Sequence, residues 1–252
     1  MGSFTKWLGA GLGFSLGGPI GAAIGFAIGQ FVSGFSNEDL NKEQQAYQRR
    51  PKTGSRFEQT QSGDFEICLL VLASIVIKAD GKVDQRELDF VRNQFVNMYG
   101  KQRANNAFKL FNGIIKKEVS ARQVCIQIRQ NMPHASRLQL VHFLFGIAKS
   151  DQYVVQAELE EIKKIAGYLY VNLQDYESIK AMFFDVSANA YKILEISESA
   201  SNEEVKKGYR KMVKKYHPDK LQDLGEAHLK GANEKFQSIQ SAYETIKKET
   251  DM

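Results

Sequence analysis

The chain has 252 residues, of which 43% are hydrophobic and 25% are charged, and its formal net charge is +5. This length accommodates two domains and a tail, and no feature of the composition is extreme. The positive charge does not indicate a nucleic-acid partner, because no aromatic-studded basic patch or zinc-ligand spacing accompanies it. The two cysteines, Cys68 and Cys125, each lie inside an apolar helical segment, which predicts a reducing compartment.

The first 37 residues form a segment unlike the rest of the chain, because no charged side chain occurs from Trp7 to Asn37. Glycine recurs there at every fourth position, at Gly9, Gly13, Gly17, Gly21, Gly25 and Gly29. On a helix such a row forms a shallow groove that lets a second helix approach closely. We therefore predict a glycine-rich apolar helix over residues 1–37 that associates with the membrane through residues 7–35, and a homo-oligomer that forms through the glycine row.

Two arrangements of this apolar segment are open. The uncharged run exceeds the roughly 20 residues that cross a bilayer, whereas Gly18 and Pro19 interrupt its middle and favour a helical hairpin that lies on the membrane or on the protein. Only one positive residue, Lys6, precedes the uncharged run, whereas Arg49, Arg50, Lys52 and Arg56 are among the positive residues that follow it closely. By the positive-inside rule, the remainder of the chain faces the cytoplasm.

The middle of the chain contains an internal repeat. Residues 38–63 are polar and predict a linker, and from residue 64 to residue 186 the apolar pattern is helical throughout. Two copies of one pattern recur there 71 residues apart, each with an apolar helix, a turn that opens on an acidic residue, and a glutamate on the next helix. We predict two pseudo-symmetric helical hairpins, bridged by residues 97–132.

This repeat resembles the TerB-like all-α domain named for tellurite resistance. The resemblance implies a divalent-metal site at the two turns, made of Asp80, Glu87, Asp151 and Glu158. A hard cation such as calcium takes about six or more oxygens, which these carboxylates and nearby backbone groups supply if the hairpins meet. The alternative is ordinary capping, because an aspartate at a turn and a glutamate in the first helical turn stabilise a helix N-terminus.

A basic amphipathic helix lies near the C-terminal end of the sequence. Ser201 is its predicted N-cap, apolar residues recur at helical spacing from Val205 to Tyr216, and Pro218 ends the helix. Its other side, which we call the basic face, carries Lys206, Lys207, Arg210, Lys211, Lys214 and Lys215. A second amphipathic helix follows the loop, with its pattern at Ala232, Lys235-Phe236, Ile239, Ala242-Tyr243 and Ile246.

Together with Tyr191 and Leu194, these two helices and the loop between them resemble the J-domain of DnaJ-type co-chaperones over residues 188–252. The resemblance implies that this domain docks on the ATPase domain of a DnaK-type chaperone and stimulates ATP hydrolysis. The implied contacts are the basic face and the loop residues His217, Pro218 and Asp219. Gly208 departs from the family pattern, in which alanine is usual, and it costs the helix about 1 kcal/mol.

The order of an apolar segment, a TerB-like domain and a J-domain resembles the DjlA class of membrane-anchored co-chaperones. The resemblance implies an all-α protein at the inner membrane of a bacterium, whose domains face the cytoplasm and whose TerB-like domain serves targeting, oligomerisation or sensing. No cofactor is implied apart from the divalent metal.

An enzyme is disfavoured, because the sequence has no nucleophile elbow or phosphate-binding glycine loop, and His142 lies on an apolar helix as a core residue. A second hypothesis is a metal- or stress-sensing membrane protein with an accessory J-domain. A third is an oligomeric membrane scaffold that assembles through the glycine row.

Overall fold

The structure is a computed structural model that describes residues 62–116, 118–150, 155–184, 186, 188–217, 219 and 229–250. These residues form helices, turns and loops and contain no strand, so the all-α prediction is confirmed for this part of the chain. The predicted glycine-rich helix and the linker before residue 62 lie outside the described residues.

Ten helices are described. They are α1 (Ser62–Ile77), α2 (Gln85–Tyr99), α3 (Lys101–Ile114), α4 (Ala121–Asn131), α5 (His134–Lys149), α6 (Gln156–Tyr168), α7 (Leu173–Ala181), α8 (Ala190–Ile193), α9 (Asn202–Lys215) and α10 (Leu229–Glu249). Helices α1 to α7 cover the TerB-like domain, and α8 to α10 cover the J-domain.

The repeat has a structural counterpart. Helix α2 begins at Gln85 and α6 begins at Gln156, so the second helices of the two copies start 71 residues apart. The first helices of the copies, α1 and α5, pack against each other at the centre of the domain. Helix α5 is buried along most of its length, as expected of a helix that is apolar on all faces. Helices α3 and α4 form the predicted bridge between the two hairpins.

Local sequence determines where several helices begin. The Asp84 side chain accepts a hydrogen bond from the backbone N–H of Arg86, and Glu87 reaches back to the N–H of Asp84 in a capping box. A second capping box at the start of α9 joins Ser201 and Glu204, which confirms the predicted N-cap. These caps satisfy N–H groups that have no partner inside a helix.

The J-domain forms its own small core. Helix α9 packs against α10, and the rings of Tyr209 and Tyr243 stack with their centroids 4.3 Å apart. The fully buried positions of α10 include Ala232, Lys235 and Ile239, whereas Phe236 is only half-buried. The sequence pattern included both Lys235 and Phe236, and Lys235 is the buried one, because α10 also packs on α8 and α5 and turns Lys235 toward them.

The two domains are in contact. Helix α8 lies against α7, and α10 lies against α5. The hydroxyl of Ser178 on α7 donates to the backbone carbonyl of Ile193 on α8 at 2.9 Å. The Gln174 side chain donates to the carbonyl of Glu195 at 3.2 Å. The J-domain therefore sits directly on the TerB-like domain.

Candidate partner-binding site

The basic face of α9 is mostly exposed. Val205, Gly208 and Met212 on the opposite side of the helix are buried, and this burial turns the positive residues outward. Five residues of the basic face are exposed: Lys206, Lys207, Arg210, Lys211 and Lys214. The Lys211 ammonium pairs with Glu195 at 2.9 Å. Hydrogen bonds with Ser201 lower the pKa of Glu204, and nearby Lys207 contributes to this lowering.

The loop after α9 presents a histidine and an aspartate to solvent. The backbone N–H of Tyr216 donates to the carbonyl of Met212 at the end of the helix, and His217 follows it. His217 and Asp219 have side chains that are 48% and 69% exposed, with His217 Nδ1 3.3 Å from Asp219 Oδ2. The other ring nitrogen, Nε2, takes no part in this contact. Pro218 lies outside the described residues.

An open cleft of about 530 Å³ joins the loop to the basic face. Its lining consists of Tyr209, Arg210, Val213, Lys214, His217 and Asp219. The cleft therefore combines positive groups, apolar surface and the two loop side chains in one place. Such a surface fits an acidic protein segment better than a small ligand, because it is wide open to solvent.

Lys215 is oriented differently from the rest of the basic face. Its side chain is only 18% exposed, and its ammonium forms ion pairs with Asp175 on α7 and with Glu195. Glu195 has a φ of +55°, an uncommon conformation that costs of order 1 kcal/mol and accompanies a buried carboxylate. The structure thus brings five of the six predicted positive residues to the exposed surface and places the sixth between the domains.

Asp175 is a buried carboxylate with two hydrogen-bonding neighbours, a histidine and a lysine. His134 Nε2 lies 3.0 Å from Asp175 Oδ2, and Lys215 donates to Oδ1. Burial raises the pKa of Asp175, but hydrogen bonds from His134 and Lys215 outweigh burial and lower the pKa to about 2. Asp175 is therefore ionised at neutral pH although its side chain is only 2% exposed.

Lys235, which belongs to the predicted pattern of the second amphipathic helix but was given no role, is the second lysine between the domains. Its ammonium donates to the Gln139 side chain on α5 and lies 5.3 Å from the centroid of the Tyr216 ring. Burial lowers the pKa of Lys235 to about 7. Burial, together with Lys235, also lowers the pKa of His142 well below its usual value. His142 is a core residue, as predicted.

The helical spacing of the sequence places Lys235 on the buried side of α10. Ala232 lies three residues before it and Ile239 four residues after it, and both are fully buried. A lysine at a core position of an amphipathic helix indicates a polar acceptor on the surface that the helix packs against. The sequence alone does not identify Gln139 as that acceptor, because the two residues are 96 positions apart.

Three of the four predicted metal ligands, Asp80, Glu87 and Glu158, lie among the described residues. Asp80 lies in an exposed turn and accepts a hydrogen bond from the N–H of Lys82 at 2.8 Å. Glu87 and Glu158 are buried in the first turns of α2 and α6, and Asp151 lies outside the described residues. The described part of the chain contains no cluster of three or more histidine, cysteine or acidic side chains that could hold a metal. The metal site stays a prediction.

The predicted membrane segment is likewise outside the described residues, as is its glycine row. Among the helices that the structure describes, none has the length and apolar character needed to cross a bilayer.

Cys125 is buried, and burial raises the pKa of its thiol to about 12. The thiol therefore behaves as a small apolar group at neutral pH.

Three protein families match successive parts of the chain. Residues 1–33 match the co-chaperone DjlA transmembrane domain, residues 66–181 match the tellurite resistance protein TerB, and residues 189–251 match the DnaJ domain. The basic face, the cleft and the exposed loop all lie within the third match.

Curated relatives agree with these matches. The chain is similar to co-chaperone protein DjlA of Vibrio parahaemolyticus, with 29% identity over 75% of this chain and 79% of that protein. It is 52% identical to DjlA of Vibrio cholerae over 25% of this chain and 22% of that protein. It is also 57% identical to the chaperone protein DnaJ of Anaplasma marginale over 22% of this chain and 14% of that protein. No solved structure matches. The predicted resemblance to DjlA-like co-chaperones is confirmed.

Proposed function

We propose that this chain, whose segments match DjlA co-chaperones in order, is a co-chaperone that binds a DnaK-type chaperone through its J-domain and stimulates ATP hydrolysis by that chaperone. One observation carries the proposal. The His217–Asp219 loop is exposed at the end of an exposed basic face, inside the part of the chain that matches the DnaJ domain.

The basic face attracts the partner chaperone electrostatically. Positive side chains on one side of a helix attract an acidic groove, raise the association rate and lose their effect as salt is added. Lys206 and Lys207 lie at the start of this surface, and Arg210 and Lys214 lead to the cleft beside the loop. Because these side chains are exposed, each contact is modest in energy and the complex is readily reversible.

The loop supplies the signal for hydrolysis. His217 offers a ring nitrogen and Asp219 offers a carboxylate, and both are exposed enough to reach groups at the interdomain hinge of the chaperone. The co-chaperone contributes no catalytic group in this scheme. It acts as a regulator, because its binding energy shifts the chaperone toward the conformation that hydrolyses ATP.

The membrane match supports a location of this activity at a membrane surface. A transmembrane segment within residues 1–33 would anchor the chain, and the positive residues after it favour a cytoplasmic location for the J-domain. The cytoplasm is also where an ATP-dependent chaperone operates. The TerB-like domain would then serve targeting, oligomerisation or sensing, and the glycine row would support a homo-oligomer.

The test is ATP hydrolysis by a DnaK-type chaperone in the presence of the full-length chain. We expect wild-type protein to stimulate hydrolysis, Asp219→Asn to lose most of the stimulation, and the stimulation to weaken as salt is raised from low to physiological levels. Glu160→Gln is a matched control, since it neutralises an exposed carboxylate on α6 of the TerB-like domain. Absence of stimulation by folded wild-type protein would contradict the proposal and favour the sensing alternative.

A further inference from the structure

We propose that the TerB-like domain holds the J-domain in one orientation through a buried polar contact, with Asp175 as the positioning residue, a role that rests on the proposed function of the J-domain. We call this contact the interdomain seam. It consists of His134, Gln139, Asp175, Glu195, Lys215 and Lys235.

The first half of the interdomain seam is centred on Asp175. Both carboxylate oxygens are used, because one accepts from Lys215 of the J-domain and the other lies 3.0 Å from His134 of the TerB-like domain. The backbone N–H of Asp175 donates to the Asn172 side chain at 2.8 Å, which fixes the residue in the first turn of α7. The carboxylate is therefore held by its own domain and directed at the J-domain.

The second half is centred on Lys235. Its ammonium enters the TerB-like domain and donates to Gln139 on α5, while Lys215 attaches to α7. Two lysines from two different J-domain helices thus contact two different helices of the TerB-like domain. A two-point attachment of this kind opposes rotation of one domain on the other, whereas a single contact would permit it.

The energetics favour specificity over strength. The attraction within a buried ion pair only slightly exceeds the cost of removing the two charges from water. A misplaced partner, by contrast, leaves one buried charge unpaired at a cost of about 3–5 kcal/mol. Asp175 is almost fully buried and takes its lysine partner from the J-domain, so the observed docking is what pairs this carboxylate with an ammonium group. The interdomain seam therefore selects one arrangement.

The consequence is that neighbouring lysines have different roles. Lys214 is exposed and lines the cleft beside His217, so it belongs to the surface for the chaperone. Lys215 faces Asp175 and Glu195, so it belongs to the interdomain seam. Substitution of Lys214 should act on chaperone binding, and substitution of Lys215 should act on domain orientation.

The experiment measures the distance between the domains in the full-length chain in a mild detergent, without chaperone. Spin labels are placed at Lys163→Cys on α6 and Lys247→Cys on α10, two exposed sites, while Cys68 and Cys125 are buried from the label. We expect one narrow distance distribution for the wild-type interface. Asp175→Asn and Lys215→Gln should each broaden it, and Lys214→Gln, the matched control, should leave it narrow.

Three further readouts separate orientation from general damage. Circular dichroism should show unchanged helix content in each variant, and Lys215→Gln serves if Asp175→Asn does not fold, because Lys215 reaches solvent. The double variant should be no broader than either single variant, since both remove the same contact. Lys214→Gln should raise the chain concentration needed for half-maximal chaperone stimulation, and Lys215→Gln should not.

A narrow distribution in folded Asp175→Asn and Lys215→Gln would overturn the interdomain seam as a positioning device. So would a rise in the half-maximal concentration for Lys215→Gln equal to that for Lys214→Gln. The distance measurement contains no chaperone, so it is independent of the proposed function. If wild-type protein fails to stimulate the chaperone while the distances change as expected, the proposed function fails and the interdomain seam stands.

Discussion

The pKa of Lys235 in the J-domain depends on its burial against the TerB-like domain. Its side chain is buried, and its surroundings are the Gln139 amide, the neutral His142 ring and the Tyr216 ring. Burial disfavours the charged ammonium, while the nearby Glu234 favours it only in part. The pKa of Lys235 is consequently about 7 rather than the usual 10.5.

This shift predicts a dependence of stability on pH. Above pH 7 the folded chain has lost the Lys235 proton while the unfolded chain keeps it up to about pH 10.5, so folding is favoured as pH rises through this window. The free energy of unfolding of wild-type protein should rise relative to Lys235→Met by about 1.4 kcal/mol per pH unit. Urea unfolding at pH 7, 8 and 9 measures the difference.

His142 and Tyr216, which lie near Lys235, do not change charge in the same pH range. Burial holds the pKa of His142 well below 6.5 and raises the pKa of Tyr216 well above 10.0, so both stay neutral from pH 7 to pH 9. Lys247→Met, at an exposed position of the same helix, is the control and should follow the wild-type curve. Parallel curves for wild type and Lys235→Met would show that Lys235 is not buried between the domains.

At the residue scale, the sequence predicted the exposed groups better than the buried ones. The His217 loop and five residues of the basic face are where the helical pattern placed them. The sequence pattern placed Lys235 and Phe236 together on the apolar side of α10. The structure buries Lys235 and leaves Phe236 half-buried, because Gln139 on another domain supplies a hydrogen-bond acceptor that no local pattern reveals.

Helix α9 illustrates how one element serves two neighbours. Its buried side packs on α10 and on the loop after α8, and its exposed side forms the basic face. The close approach to the loop depends on Gly208. A methyl group placed there would lie 2.6 Å from Ile196 Cγ2 and 3.3 Å from the carbonyl oxygen of Leu194.

Gly208→Ala should therefore destabilise the J-domain although alanine is the better helix former. The gain in helix propensity is about 1 kcal/mol, whereas overpacking against Ile196, with the Leu194 carbonyl close by, costs about 1–3 kcal/mol. We expect a net loss of stability in denaturant unfolding, and a smaller loss in an Ile196→Ala background, where the closest contact is removed.

Gly167 provides the control for this substitution. It lies near the end of α6, and no described atom lies within 4 Å of a methyl group placed there. Gly167→Ala should raise the free energy of unfolding by up to about 1 kcal/mol, because alanine is the better helix former. If Gly208→Ala stabilises the chain as Gly167→Ala does, the close packing of α9 on Leu194 and Ile196 is incorrect.

At the scale of elements the sequence was most informative. Helical periodicity located the helices, the Ser201 cap located the start of α9, and the repeat located α2 and α6 at a spacing of 71 residues. These features depend on residues close in the chain. The ion pair between Lys215 and Asp175 joins residues 40 positions apart on two domains, and this distance explains why it was not predicted.

At the scale of the whole molecule, the order of the domains and the contact between them are the relevant features. The matches give the order of a transmembrane domain, TerB and the DnaJ domain, as the sequence indicated. The interdomain seam adds that α9 has a fixed direction relative to the TerB-like domain. A chaperone bound to α9 and the loop would therefore be oriented with respect to whatever the TerB-like domain binds.

The most direct test of the central claim is single-turnover ATP hydrolysis by a DnaK-type chaperone with the full-length chain, wild type beside His217→Gln. His217 is exposed, so its substitution should leave the helix content and unfolding midpoint unchanged. We predict that wild-type protein accelerates hydrolysis and that His217→Gln lowers the stimulated rate by about tenfold or more, equivalent to about 1.4 kcal/mol of activation free energy. Equal acceleration by the two proteins, or none by folded wild type, would contradict the account.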